Sequence, residues 1–144
     1  ENIPVTANAA DVIVSNCVLN LVPNKQAVFA EMFRVLKPGG HFSISDIVLT
    51  GELPSKIKNA AEMYAGCVAS AIDKEEYLSY VSKVGFTNMT IQKDKPIIVP
   101  DDILKNYLNE EEIAQYKAKD TVIRSITVYA EKPENSCAPN SGCC

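Results

Sequence analysis

Ser15-Asn16-Cys17-Val18-Leu19-Asn20-Leu21 follows directly on the apolar run Asp11-Val12-Ile13-Val14. A β-branched strand stops there, and a thiol and two carboxamides stand where the chain turns towards a helix. In open parallel α/β sheets, ligands bind just outside the carboxyl ends of the strands. Cys17 is therefore a better functional candidate than a Cys in mid-strand. Read alone it could equally be a small core residue, because free Cys is among the most buried residue types.

Outward from that stretch, Asp11 to Leu21 carries Val12, Ile13, Val14, Val18, Leu19 and Leu21. A run this nearly continuous suits a strand covered on both faces, as in a parallel sheet. Pro23 and Asn24 end it, and Asn24 is a helix N-cap by type. Val28, Phe29, Met32, Phe33 and Leu36 follow at helical spacing and predict one buried face. Leu36-Lys37-Pro38-Gly39-Gly40 stops the helix, because Gly supplies positive φ and Pro cannot continue the hydrogen-bond ladder. His41 to Leu49 is the next strand, with Phe42 and Ile44 on one side and Ser43 and Ser45 on the other. Strand, helix and strand over about forty residues make a βαβ unit, so this part of the sheet is parallel.

The remainder alternates in the same way. Ser55 to roughly Val68 predicts a helix through Ile57, Ala60, Ala61, Tyr64 and Val68, with Tyr64 and Cys67 on neighbouring positions of one face. Asp73-Lys74-Glu75-Glu76 has the outline of a capping box, Tyr77, Leu78, Val81 and Val84 form the stripe behind it, and Gly85 is the stop. Thr87 to Lys93 reads as a strand with one polar face, and Pro96 to Pro100 as extended chain. Two short helices follow, one after Asp101 and one from Asn109, where Asn109 and Glu112 repeat the capping-box spacing. Thr121 to Ala130 is rich in β-branched residues and makes the final strand. Residues 1–132 are expected to form the folded unit, and 133–144 a flexible, Cys-containing tail.

Composition narrows the function classes. The chain has 144 residues, 47% hydrophobic and 22% charged, which suits one globular domain. A net charge of -4 gives no broad electrostatic reason to bind nucleic acid or an anionic membrane. No apolar run is long enough to span a bilayer. The single His argues against His-based metal sites and Ser-His hydrolysis. The five Cys, at 17, 67, 137, 143 and 144, form no zinc pattern, and reduced thiols in a cytoplasmic protein are the simplest expectation.

Three motifs together carry a resemblance. Phe33-Arg34-Val35-Leu36-Lys37-Pro38-Gly39-Gly40 resembles the link between the fourth helix and fifth strand of class I S-adenosylmethionine-dependent methyltransferases. Combined with Ser15 to Leu21 and with Tyr64-Ala65-Gly66-Cys67-Val68-Ala69-Ser70-Ala71, it resembles the arsenite methyltransferase family. The late stretch Pro100 to Lys132 also resembles bacterial and archaeal members. The likeness covers nearly all of this chain but only the carboxyl-terminal half of a family protein. The implied fold is α/β: the fourth to seventh strands of a Rossmann-like class I methyltransferase, parallel with a final antiparallel pair, plus small helical elements on the substrate side. Family members also carry an amino-terminal half with a glycine-rich loop for the cofactor, and the six glycines here include no Gly-x-Gly. The chain alone is therefore expected to bind S-adenosylmethionine poorly, to be inactive, and to self-associate through the edge and apolar surface of a half-sheet.

The resemblance implies roles residue by residue. Cys17 and Cys67 would bind trivalent arsenic, as soft thiolates suit a soft, thiophilic centre. Asn16 and Val18 would border the methionine end of S-adenosylmethionine, and Glu1 the adenine pocket. For Asn16, a strand-ending turn residue is the competing role. Cys143 and Cys144, with Cys137, either capture arsenite and pass it inward or belong to a dispensable tail. Asp46 faces the site or serves as an ordinary turn or cap residue. Tyr64 lines the pocket or packs in the core, and His41 is expected as an exposed strand start. The implied co-substrates are arsenite and a thiol reductant. The alternatives are a methyltransferase for another small, quinone-like acceptor and a non-catalytic, thiol-rich metalloid-binding module.

Overall fold

The computed structural model describes residues 2–64, 66–119 and 122–134. Glu1, Cys137, Cys143 and Cys144 lie outside the described residues, as does the side chain of Tyr64. Strand β1 spans Ala10–Asn16, and a 3₁₀ turn at Leu19–Leu21 leads to helix α1, Lys25–Val35. Strand β2 covers Leu36–Leu49. Helices α2 (Ser55–Tyr64), α3 (Gly66–Ala69) and α4 (Lys74–Val84) precede strand β3, Thr87–Pro96. Helices α5 (Asp101–Leu104) and α6 (Glu110–Ala118) lead to strand β4, Ile123–Glu131.

The caps form where residue chemistry puts them. Asn24 accepts from the Ala27 N–H at 3.0 Å and opens α1. Asp73 accepts from the Glu75 and Glu76 N–H groups and opens α4, which Gly85 ends in the left-handed conformation at φ 108°. Asn109 and Glu112 form a reciprocal capping box on α6. The helix expected from Ser55 to Val68 is two segments, α2 and α3.

The strands form one sheet in the order β1-β2-β4-β3. β1 and β2 are parallel, as the βαβ pattern requires, and β4 runs antiparallel to both β2 and β3. Leu36–Gly40 belongs to β2 rather than to a plain stop. Ala10 pairs with Leu36 but Val12 pairs with His41, so the Pro38-Gly39-Gly40 segment loops out between those two pairs. Gly39 takes φ 79° there. At Gly40 a Cβ would lie 2.8 Å from the Asp11 carbonyl and 2.9 Å from that of Lys37, so only glycine fits. His41 is consequently inside the strand, half-buried with its ring 5.1 Å from that of Tyr129, and is not an exposed strand start.

Phe42, Ile44, Asp46 and Val48 point to the face beneath α1 and α4. Phe29, Met32, Tyr77 and Val81 from those helices, with Ile126, Val128 and Ala130 of β4, complete the main core. Phe29 meets Tyr77 edge-on at 5.4 Å, and Phe42 meets Phe86 edge-on at 4.8 Å, the arrangement ring quadrupoles favour. A second cluster of Ile57, Leu104, Leu108 and Ile113 holds α2, α5 and α6 together. The opposite face of the sheet is polar at its centre, where Ser45 meets Thr127 at 2.8 Å and Ser43 meets Gln92 at 3.2 Å. β1 is an edge strand, and it is not covered on both faces as its apolar run suggests. Val12 is 47% and Val14 75% exposed. β-branched residues read alike whether a neighbour covers them or not, which is why sequence alone assigns them to an interior.

Candidate active site

β1 ends at Asn16, so the first residue past the carboxyl end of this parallel strand is Cys17. Cys17 adopts φ 57°, a conformation L-residues other than Gly, Asn and Asp seldom take, and its N–H donates to the Ser45 carbonyl at 2.8 Å. The bond pins the turn onto β2, and the positive φ redirects the chain from strand into the 3₁₀ turn. Short α3 packs against that turn and carries Cys67 to the same place. The Cys67 thiol donates to the Cys17 carbonyl at 3.4 Å, and the two thiols lie within hydrogen-bonding reach of each other. Both are half-buried and free. Fifty positions of sequence separate them; the fold makes them neighbours.

The surroundings of Cys17 favour its protonated form. Burial first, then the Cys67 thiol, then the negative charge of Asp46 push the Cys17 thiol up to about 11. At neutral pH Cys17 is thus a thiol. Among the described residues no group of three or more His, Cys, Asp and Glu is placed to hold a metal ion.

Beneath the pair lies a polar set that periodicity does not reveal. Asp46 is only 1% exposed and accepts from the Tyr77 hydroxyl at 2.8 Å. Burial pushes its carboxyl up to about 6, against the Tyr77 hydroxyl, the Lys25 ammonium and the Asn20 backbone N–H, each of which favours the charged form. Asp46 is therefore neither a turn nor a cap residue; it sits three positions before the end of β2 and faces inward. Asn20 is fully buried and donates its side-chain amide to the Ile47 carbonyl at 2.8 Å. Lys25, also buried, donates to the Asn20 and Val22 carbonyls at 3.5 and 3.3 Å. Burial lowers the Lys25 ammonium, and Asp46 and Glu76 oppose that shift. The only sequence signal for Asn20 is a carboxamide between two leucines, where an apolar residue would continue the pattern.

Asn16 and Val18 flank Cys17 with exposed side chains, Val18 at 54%. They share the carboxyl end of β1 with the thiols, so three of the expected site positions and Cys67 converge there. The exposed Asn16 carboxamide offers a donor and an acceptor there, next to the apolar Val18.

Residues 1–85, more than half of the chain, match the methyltransferase domain family. The chain belongs to that family. This methyltransferase domain is 32% identical, over 92% of its length, to an arsenite methyltransferase of Halobacterium salinarum, and it covers 32% of that relative. It is 42% identical over 76 residues to the arsenite methyltransferase of Homo sapiens, covering 20% of it. Among solved structures, the arsenic(III) S-adenosylmethionine methyltransferase of Chlamydomonas reinhardtii superposes with a TM-score of 0.70 at 27% identity. That superposition covers 92% of this chain and 40% of the other. A Bacillus halodurans methyltransferase structure, at 18% identity and a TM-score of 0.65, shows the same fold. The chain spans about a third of the length of the curated relatives it matches. No described helix is long and apolar enough to cross a membrane.

Proposed function

We propose that this methyltransferase domain is the arsenic-binding part of an S-adenosylmethionine-dependent arsenite methyltransferase, with trivalent arsenic held by Cys17 and Cys67. The observation that carries this is the meeting of the two thiols, Cys67 Sγ to the Cys17 carbonyl at 3.4 Å, at the carboxyl end of a parallel strand. The relatives at 32% and 42% identity are arsenite methyltransferases, and that supports the choice of arsenic over a carbon acceptor.

The chemistry follows from the protonated state of Cys17. Arsenous acid exchanges two hydroxides for the two sulfurs, each thiol proton leaves with a hydroxide as water, and no general base is needed. Two thiolates leave the third position on arsenic to a hydroxide or to a further thiol, from a reductant or from Cys143 or Cys144 of the tail. Soft sulfur ligands suit the soft arsenic centre and keep its lone pair available. S-adenosylmethionine, when bound, supplies an electrophilic methyl on a sulfonium. Asn16 would hold its amino-acid end through the carboxamide, and Val18 would give apolar contact. Glu1 is proposed at the adenine pocket, on the resemblance alone. What this chain contributes is position: acceptor and donor held in line at one strand end, a contribution that proximity makes large.

The test is arsenite-dependent methyl transfer by the whole protein with a thiol reductant, in parent, Cys17→Ser and Cys67→Ser forms. Each substitution should remove most of the activity, and near-normal turnover in both would reject the assignment. Arsenite titration after Cys137, Cys143 and Cys144 are changed to Ser separates capture by the tail from binding at the pair. Weaker binding supports capture, and unchanged affinity removes it.

A further inference from the structure

We propose that Asp46 is a positioning residue for Cys17, acting through the end of β2, whose Ser45 and Ile47 carbonyls hold Cys17 and the buried Asn20, and held in place by the Tyr77 hydroxyl. The inference rests on the thiol-pair reading and assigns the pair its support. Cys17 is held at φ 57°, and a non-Gly residue stays in that region only when its surroundings over-determine it. The surroundings are visible. The Cys17 N–H is bound to the Ser45 carbonyl at 2.8 Å, and the Asn20 amide to the Ile47 carbonyl at 2.8 Å. Asp46 stands between Ser45 and Ile47 on β2, and its carboxylate accepts from the Tyr77 hydroxyl of α4 at 2.8 Å. The first two links tie Cys17 and the turn after it to the end of β2, and the third ties that end to α4.

A second observation separates this set from ordinary packing. One oxygen of Asp46 and the side-chain oxygen of Asn20 are buried without a hydrogen-bond partner, although both residues are at most 1% exposed. Native interiors rarely keep such acceptors. Here Leu19, Phe29 and Val48 are in the same core, and an apolar residue at position 46 would match them. A buried carboxylate in that place is better explained by what it holds than by what it adds to stability.

The test uses the full chain with Cys137, Cys143 and Cys144 changed to Ser, so that positions 17 and 67 carry the remaining thiols. Phenylarsine oxide is the probe: it exchanges its oxygen for two sulfurs, releases water, and binds tightly only where two thiols are held together. Asp46→Ala should weaken binding about tenfold or more, and Tyr77→Phe should weaken it several-fold, at unchanged circular dichroism. Asp46→Asn, which keeps the shape and an acceptor for Tyr77, should bind within about threefold of the parent. Folded Asp46→Ala binding as tightly as the parent would overturn the positioning role. If that variant fails to fold, normal binding by Tyr77→Phe overturns it, and so does Asp46→Asn as weak as the alanine form. Cys17→Ser with undiminished binding would instead remove the thiol pair itself.

Discussion

Changing Asp46 to Asn should remove the pH dependence that this one carboxyl imposes on folding. Its ordinary value of 3.8 rises to about 6 in the folded chain, chiefly through burial. Below 3.8 both states hold the proton, and the folded state bears no penalty. As pH rises, the unfolded chain releases its proton first, so the stability associated with a protonated Asp46 is lost progressively until the folded carboxyl ionises near 6. A gap of about two units corresponds to about 3 kcal/mol in total, of which about 2 kcal/mol falls between pH 4.5 and 7.5. Carboxylates held low, such as Glu31, down to about 2 beside Arg34, lose stability only in more acid solution, and they cancel between parent and variant. Urea denaturation of both proteins at pH 4.5, 5.5, 6.5 and 7.5 measures the difference directly. Asp46→Asn should gain on the parent by about 2 kcal/mol across that interval, most steeply around pH 5 to 6. A difference that stays flat to within about 0.5 kcal/mol would refute the account of a buried carboxyl with a raised proton affinity.

Gly40→Ala should cost about 1–3 kcal/mol, because the new methyl meets two backbone carbonyls that cannot swing aside; thermal unfolding reads it, and an unchanged midpoint would contradict the close packing. The exposed edge offered by β1, with Val14 at 75% exposure, should make the isolated chain self-associate, and Val14→Lys should shift it towards monomer in light scattering. A monomeric parent at high concentration would count against that.

Where a few adjacent residues decide the structure, the sequence was legible. Asn24, Asp73 and the Asn109–Glu112 pair cap the helices their types predict, and Gly85 ends α4 as expected. Cys17 stands at the strand end because a β-branched run stops beside polar residues, and Cys67 was placed with it only through family likeness. What resisted reading depends on partners far away in the chain. Val12 and Val14 look like core until the neighbours of β1 are known. His41 looks like a terminus until the pairing of Ala10 with Leu36 extends β2 backwards. Asp46 looks like a turn residue, since the hydroxyl that receives it arrives 31 positions later on α4. A buried polar set has no period, so neither strand nor helix patterning exposes it.

The place of β4 has a consequence for how the chain is made. It lies between β2 and β3, antiparallel to each, although it is last in sequence. During synthesis β3 emerges with no strand to join, and β2 keeps one side open beside Phe42 and Ile44. Only when Glu131 has left the ribosome can both gaps close in one event. Such late, long-range closure is slow compared with local pairing. Until then β2 and β3 carry open edges in addition to that of β1, and a nascent chain halted before Ile123 would remain a client for chaperones.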